Sequence, residues 1–273
     1  MCSTCGCSDP DQKFSIRKPG EEANFNHHGG ANGHHHVHHH HENEMGHHHD
    51  THSHERVIEV EQDILQRNNL LAERNRGYFE AKNIIAFNLV SSPGSGKTAL
   101  LEKTITALYE RLEISVIEGD QQTTNDADRI KAAGAQAVQV NTGMGCHLDA
   151  EMVNLAAKQL DLKNDSVLFI ENVGNLVCPA LFDLGEYNRV VIMSVTEGED
   201  KPLKYPQMFK SSQLCLINKM DLAPYVDFDL TKVKNYLHQV NHHLDVIALS
   251  VKTGEGLNEW HQWLEYHIMK QPE

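Results

Sequence analysis

Ile84-Ile-Ala-Phe-Asn-Leu-Val-Ser-Ser-Pro-Gly-Ser-Gly-Lys-Thr98 decides the fold class of this 273-residue chain. An apolar run, Ile84–Val90, enters a loop of small residues, and Leu101, Ile105, Leu108 and Leu112 then share one helical face within 98–112. Strand, glycine-rich turn and helix in that order suit a phosphate-binding loop. Gly94 and Gly96 let backbone N–H groups converge on phosphate oxygens, where a Cβ would intrude. Gly94, Ser95, Gly96, Lys97 and Thr98 are therefore the expected phosphate-side residues. Lys97 reaches the terminal phosphates, the Thr98 hydroxyl takes Mg²⁺, and the helix N-terminus adds partial positive charge. Ser91 stands where such loops usually begin with glycine, so only Gly-x-Gly-Lys-Thr is intact. The bland alternative is a glycine-rich strand-to-helix turn carrying an exposed lysine.

Downstream, apolar runs alternate with helical patterns. The further runs are Ile114–Ile117, Ala137–Val140, Val167–Ile170, Val190–Val195, Leu214–Ile217 and Val246–Leu249, and the last helix carries Leu257, Trp260, Leu264 and Ile268. Continuous apolar strands between helices predict an α/β fold, a mostly parallel sheet flanked by helices. Ligands in such sheets bind at the carboxyl ends of strands. Upstream, Val57/Ile58, Ile64/Leu65, Leu71/Ala72 and Tyr78/Phe79 recur every seven residues and predict a packing helix over 55–83. The expected division is a flexible Cys/His-rich tail over 1–54, a leading helix over 55–83 and a GTPase domain over 84–273.

Asn218-Lys219-Met-Asp221 follows the run Leu214–Ile217 and sets the expected base. A carboxylate at Asp221 accepts from guanine N1–H and the exocyclic amine, a donor pair that adenine lacks, so the pocket reads GTP rather than ATP. Ser250, Val251 and Lys252 follow the final strand and form a third base-side loop. Asp120 and Glu171 end two strands and aim toward the Mg²⁺ and γ-phosphate region, which makes Lys97, Asp120 and Glu171 the candidate catalytic groups; structural carboxylates at strand ends are the plainer reading. Asn175 follows Gly174, where a water-positioning glutamine is absent, so slow intrinsic hydrolysis is expected.

Metal-ligating residues fall in two places. Cys2, Cys5 and Cys7 crowd the head of the chain, and three thiolates with the terminal amine suit Ni²⁺ or Zn²⁺. A redox Cys-x-x-Cys is the rival, without the βαβ context that motif needs. Fourteen of the twenty histidines lie from His27 to His54, an imidazole buffer by composition, interrupted unlike a purification tag. Cys146 and His147 sit in a glycine-flexed loop, and Cys178 in the loop after another strand, three N/S donors at one sheet edge. Each cysteine alone is more commonly structural, as Cys215 in its apolar strand should be.

Composition excludes several classes. A net charge of −14 opposes binding to a nucleic-acid backbone. No apolar stretch approaches a membrane span of roughly 20 residues, and no apolar leader opens the chain. Six cysteines, three of them within the first seven residues, do not form a spread disulfide framework. A cytoplasmic protein is expected.

These segments together resemble the hydrogenase nickel-incorporation GTPases of the HypB family, within the SIMIBI class of P-loop GTPases. The resemblance rests on Met1–Cys7, the histidine tract, Ser91–Thr98, Glu118–Thr123, Gly143–Asp149, Glu171–Cys178 and Asn218–Asp221. It implies nickel delivery to the large-subunit precursor of [NiFe] hydrogenase, a homodimer favoured by GTP, and partnership with the accessory protein HypA. It further implies a tight nickel site at Cys2, Cys5 and Cys7, a weaker Ni²⁺/Zn²⁺ site at Cys146, His147 and Cys178, and a Mg²⁺ or switch role for Asp120. Two rivals remain: a urease-type nickel GTPase, which relies on a Cys-Pro-His motif, and a nickel store whose GTPase is incidental.

Overall fold

The computed structural model describes residues 14–19, 51–120 and 125–270. Among these, seven parallel strands form one sheet: β2 (Ile84–Ser91), β3 (Ile114–Asp120), β4 (Gln136–Asn141), β5 (Ser166–Glu171), β6 (Asn188–Ser194), β7 (Leu214–Asn218) and β8 (Asp245–Ala248). Each expected apolar run is one of these strands. An eighth, β1 (Ser15–Arg17), pairs antiparallel with β4, Ile16 facing Val140. The sheet order is β1-β4-β3-β5-β2-β6-β7-β8. The remainder of 1–54 up to Asp50, including the cysteine head and most of the histidine tract, lies outside the described residues, and β1 lies within the stretch expected as tail. Phe14 and Ile16 alternate and pack on the core beside β4, but one apolar pair is too short a pattern to predict a strand.

Every side chain of β2 is buried, because helices cover both faces. Ile85, Phe87 and Leu89 turn toward α2 (Lys97–Leu108) and α8 (Leu257–Met269), whose Leu101, Ile105, Trp260 and Leu264 complete that core. Ile84 and Ala86 turn to the opposite face, against α4 (Ala150–Gln159) and Phe79 of α1 (Thr51–Ala81). A third cluster packs α6 (Pro206–Lys210) and α7 (Leu230–Val240) on β6 and β7, with Cys215 in its interior. The remaining helices are α3 (Asn125–Ala132) and α5 (Lys201–Lys204). Among the described residues no helix is long and apolar enough to cross a membrane.

α1 buries Ala72 and Phe79 of its expected stripe and adds two amides to it. It begins at Thr51, and its buried seam alternates apolar and amide residues: Asn68, Ala72, Asn75, Phe79. Asn68 Oδ1 accepts from Ala150 N and its amide donates to Asp183 O. Asn75 donates to the carbonyls of Ala150 and Leu184. Buried amides with both partners satisfied hold a helix in register as well as in contact. α1 thereby braces the start of α4 and the 183–186 turn. Behind that turn, burial would raise Glu186, but Arg189 and the Asn88 amide bring it down to about 2.

β2 is the centre of the sheet, with β5 on one side and β6 on the other. The order reverses there, and the crevice above the carboxyl end of β2 is where such sheets bind ligands.

Candidate nucleotide and metal sites

The loop after β2 is tied to the residues at the end of β7. Gly96 has φ +102°, and a Cβ there would lie 2.5 Å from the Asn218 amide. That amide donates to Ser95 O at 2.8 Å, and Lys219 Nζ donates to Gly94 O at 2.7 Å. Asn218 Oδ1 accepts from Lys219 N and Val251 N, so one side chain ties the phosphate loop to both base-side loops. Ser250 donates to Asp221 at 2.6 Å, which fixes the carboxylate orientation. Asn218, Lys219, Asp221, Val251 and Lys252 line a cavity of about 380 Å³ that begins at Gly96. Ser250 supports Asp221 from behind and is fully buried.

A second cavity, about 460 Å³, adjoins at Gly96 and is lined by Gly94, Lys97, Thr98, Asp120 and Glu171 among others. Lys97 is buried and donates to Ser91 Oγ at 2.7 Å, giving the hydroxyl at the missing-glycine position a use. Thr98 donates to Glu171 at 2.8 Å. Asp120 closes β3, and its carbonyl accepts from Thr142 N.

Glu118 went unassigned in the sequence, where it served only as the approach to Asp120. It is buried on β3 as the register partner of Glu171 on β5. Burial, then the neighbouring Glu171, pushes Glu118 well above the usual carboxylate range. Burial raises Glu171 as well, opposed by Lys97 and by the hydroxyl of Thr98. A glutamate inside an otherwise apolar run was the available signal. Arg129 also lines this cavity, held by Glu102 at 2.6 Å and Asp126 at 2.9 Å.

Mg²⁺ fits this chemistry. The Oε2 atoms of Glu118 and Glu171 are buried without a hydrogen-bond partner. Two buried carboxylates side by side with one buried lysine lack positive charge. Oxygen donors at Thr98, Asp120 and Glu171 suit a hard cation that retains water.

The thiol and imidazole donors meet at the same sheet edge. Cys146 and His147 follow β4, Cys178 follows β5, and their ligand atoms all lie within 4.8 Å of one another. Cys146 Sγ is 3.0 Å from Cys178 Sγ and 3.7 Å from His147 Nδ1. The His147 ring packs on Phe182 with centroids 4.0 Å apart, and burial brings its pKa down to about 4. It is therefore neutral at pH 7 with a lone pair for metal. Two half-buried thiols and a neutral imidazole suit a borderline divalent ion with one position open. Cys215, by contrast, is sealed in β7, where burial raises its thiol far above the ordinary value. Cys2, Cys5 and Cys7 lie outside the described residues.

The family model for the CobW/HypB/UreG nucleotide-binding domain matches residues 85–248. The hydrogenase maturation factor HypB of Escherichia coli K12 is 57% identical over 210 residues, covering 77% of this chain and 72% of that protein. The chain belongs to the HypB family. HypB of Azotobacter vinelandii is 48% identical across 97% of this chain and 92% of its own length. Among solved structures, HypB from Helicobacter pylori in complex with nickel superposes with TM-score 0.72 at 35% identity, over 75% of this chain and 96% of that one. HypB from Archaeoglobus fulgidus gives 0.70 at 39%, over 74% and 99%. As a HypB family member the chain carries a nucleotide-binding P-loop domain.

Proposed function

We propose that this protein is a GTP-hydrolysing nickel metallochaperone that supports nickel insertion during [NiFe] hydrogenase maturation in the cytoplasm. One observation carries the reading: segment 171–178 lines the phosphate cavity at Glu171–Gly174 and bears the metal-ligand candidate Cys178. Family membership, with relatives named hydrogenase maturation factors, supports the client class.

Guanine is held by Asp221, positioned by Ser250, with Val251 and Lys252 closing the base cavity. Gly94–Gly96 direct amides at the phosphates, and Lys97 moves from Ser91 to the β- and γ-phosphate oxygens. Thr98 and Asp120 would hold Mg²⁺, which would supply positive charge near the transferred phosphoryl group. Glu171 orients water on the γ-phosphate side. Burial beside Glu171 disfavours the charged form of Glu118. With no glutamine after Gly174, turnover is slow.

Ni²⁺ is cargo in this scheme, with Zn²⁺ the competing occupant of Cys146, His147 and Cys178. Cys2, Cys5 and Cys7 form a second nickel site and the histidine tract a store. GTP favours a homodimer, and HypA and the hydrogenase large-subunit precursor are the partners. Replacing Lys97 with alanine in the full chain tests the reading against a nickel store with an incidental GTPase. A chaperone loses hydrogenase maturation while the tail keeps its nickel. Undiminished hydrogenase activity would remove the chaperone role.

A further inference from the structure

The strap from Glu171 to Cys178 reaches from the phosphate cavity to the thiol–imidazole triad, and its two asparagines make the connections. At one end, Glu171 accepts from Thr98 of the phosphate loop. Gly174 packs so tightly against that loop that a Cβ would lie 3.0 Å from the Pro93 backbone. Asn172 is only 1% exposed, and its Oδ1 accepts from Leu148 N at 3.0 Å, directly beside His147. The same oxygen accepts from Val173 N, and the amide reaches Asn88 Oδ1 at 3.4 Å. Asn175 donates to the Cys146 carbonyl at 3.3 Å while its own oxygen accepts from Val177 N. Thus the backbone at both metal-ligand candidates of the 142–148 loop, Cys146 and His147, is tied to the strap by a side-chain amide. The third candidate, Cys178, rides on the strap itself.

We propose that Asn172 and Asn175 are positioning residues that transmit the state of the phosphate cavity to the thiol–imidazole triad. The inference rests on the nickel-chaperone reading above and specifies how its two sites communicate. A γ-phosphate adds charge beside Glu171 and displaces the strap. The two amides carry that displacement to the Cys146–Leu148 backbone, while Cys178 moves with its own chain. The mutual placement of the three donors then differs between GTP- and GDP-bound states, which is what a nucleotide-dependent metal affinity requires. Without these bonds, Cys178 would move alone and the opposing loop would relax independently.

The full chain is titrated with Ni²⁺ at buffered free concentration, with Mg²⁺ and either GDP or a non-hydrolysable GTP analogue. Protection of Cys146 and Cys178 from alkylation, resolved by peptide mass spectrometry, gives a midpoint at the triad independent of the tail. Wild type should show midpoints at least about fivefold apart. Asn172→Ala removes the acceptor for Leu148 N. Asn175→Asp keeps the acceptor for Val177 N and replaces the donor to Cys146 O with a carboxylate oxygen at a half-buried position; its added charge acts on both midpoints alike, so their ratio is what is read. In both variants the two midpoints should converge to within about twofold. A merely structural role would shift both midpoints together and leave their ratio intact, and that result in Asn175→Asp overturns the inference. Coincident midpoints in wild type would instead overturn the nickel-chaperone reading itself, and this inference with it.

Discussion

The phosphate cavity and the thiol–imidazole triad share a strap yet solve opposite electrostatic problems. The cavity is short of positive charge: Lys97 faces Glu118 and Glu171, whose outer oxygens are buried without partners. Such a site is completed by a hard cation. The triad presents a neutral imidazole, since burial keeps His147 uncharged. It is completed by an ion that displaces protons from sulfur. The difference teaches that one ligand supplies charge that the protein lacks, whereas the other competes with protons that the protein already holds.

That contrast can be broken from either side. The largest effect is expected for Lys97→Ala, which takes the buried lysine from the cavity. GTP turnover should fall by about 10²–10³, as when a transition-state donor is removed, while nucleotide-free Ni²⁺ protection of Cys178 stays within about twofold.

A pH titration of the apo protein sharpens the triad side. His147 has a folded pKa of about 4 against an ordinary 6.5. Between those values the unfolded chain binds more protons than the folded one, so stability falls as pH drops through that window. The loss attributable to His147 is about 3 kcal/mol at most. Denaturant unfolding of wild type minus His147→Gln should show this slope, and parallel curves would contradict the burial argument.

Cys178→Ser should weaken nickel at the triad by about 10–100-fold, given that outer-shell changes alone reach that range. Its GTP-analogue affinity without metal should be unchanged, as fluorescence titration would report. Asp221→Asn is the mildest: one charged acceptor is lost, about 1.5 kcal/mol, so GDP affinity drops roughly tenfold with ADP affinity unaffected.

The two sites also differ in how far they could be read from residues alone. The phosphate loop and Asn218–Asp221 were legible because their conformational demands are local and contiguous. The donors Cys146, His147 and Cys178 were equally visible, but their meeting depends on β4, β3 and β5 lying side by side, which no local pattern encodes. Glu118 escaped because its role depends on its register with Glu171 across two strands. The amide seam of α1 escaped for a different reason: hydrophobic periodicity does not count Asn68 and Asn75, although they are as buried as Ala72 and Phe79. β1 escaped because Phe14 and Ile16, although spaced two apart and packed on the core, make a pattern too short to stand out from a polar stretch.

The central claim is that guanine-nucleotide occupancy and triad occupancy are linked within one domain. Linkage is reciprocal, so nickel must change nucleotide affinity by the factor with which nucleotide changes nickel affinity. The direct measurement is the affinity of full-length protein for a non-hydrolysable GTP analogue, relative to GDP, with and without saturating Ni²⁺, in wild type and Cys178→Ser. The account predicts a shift of at least about fivefold in wild type and none in the variant. An analogue-to-GDP ratio indifferent to nickel in wild type would contradict it.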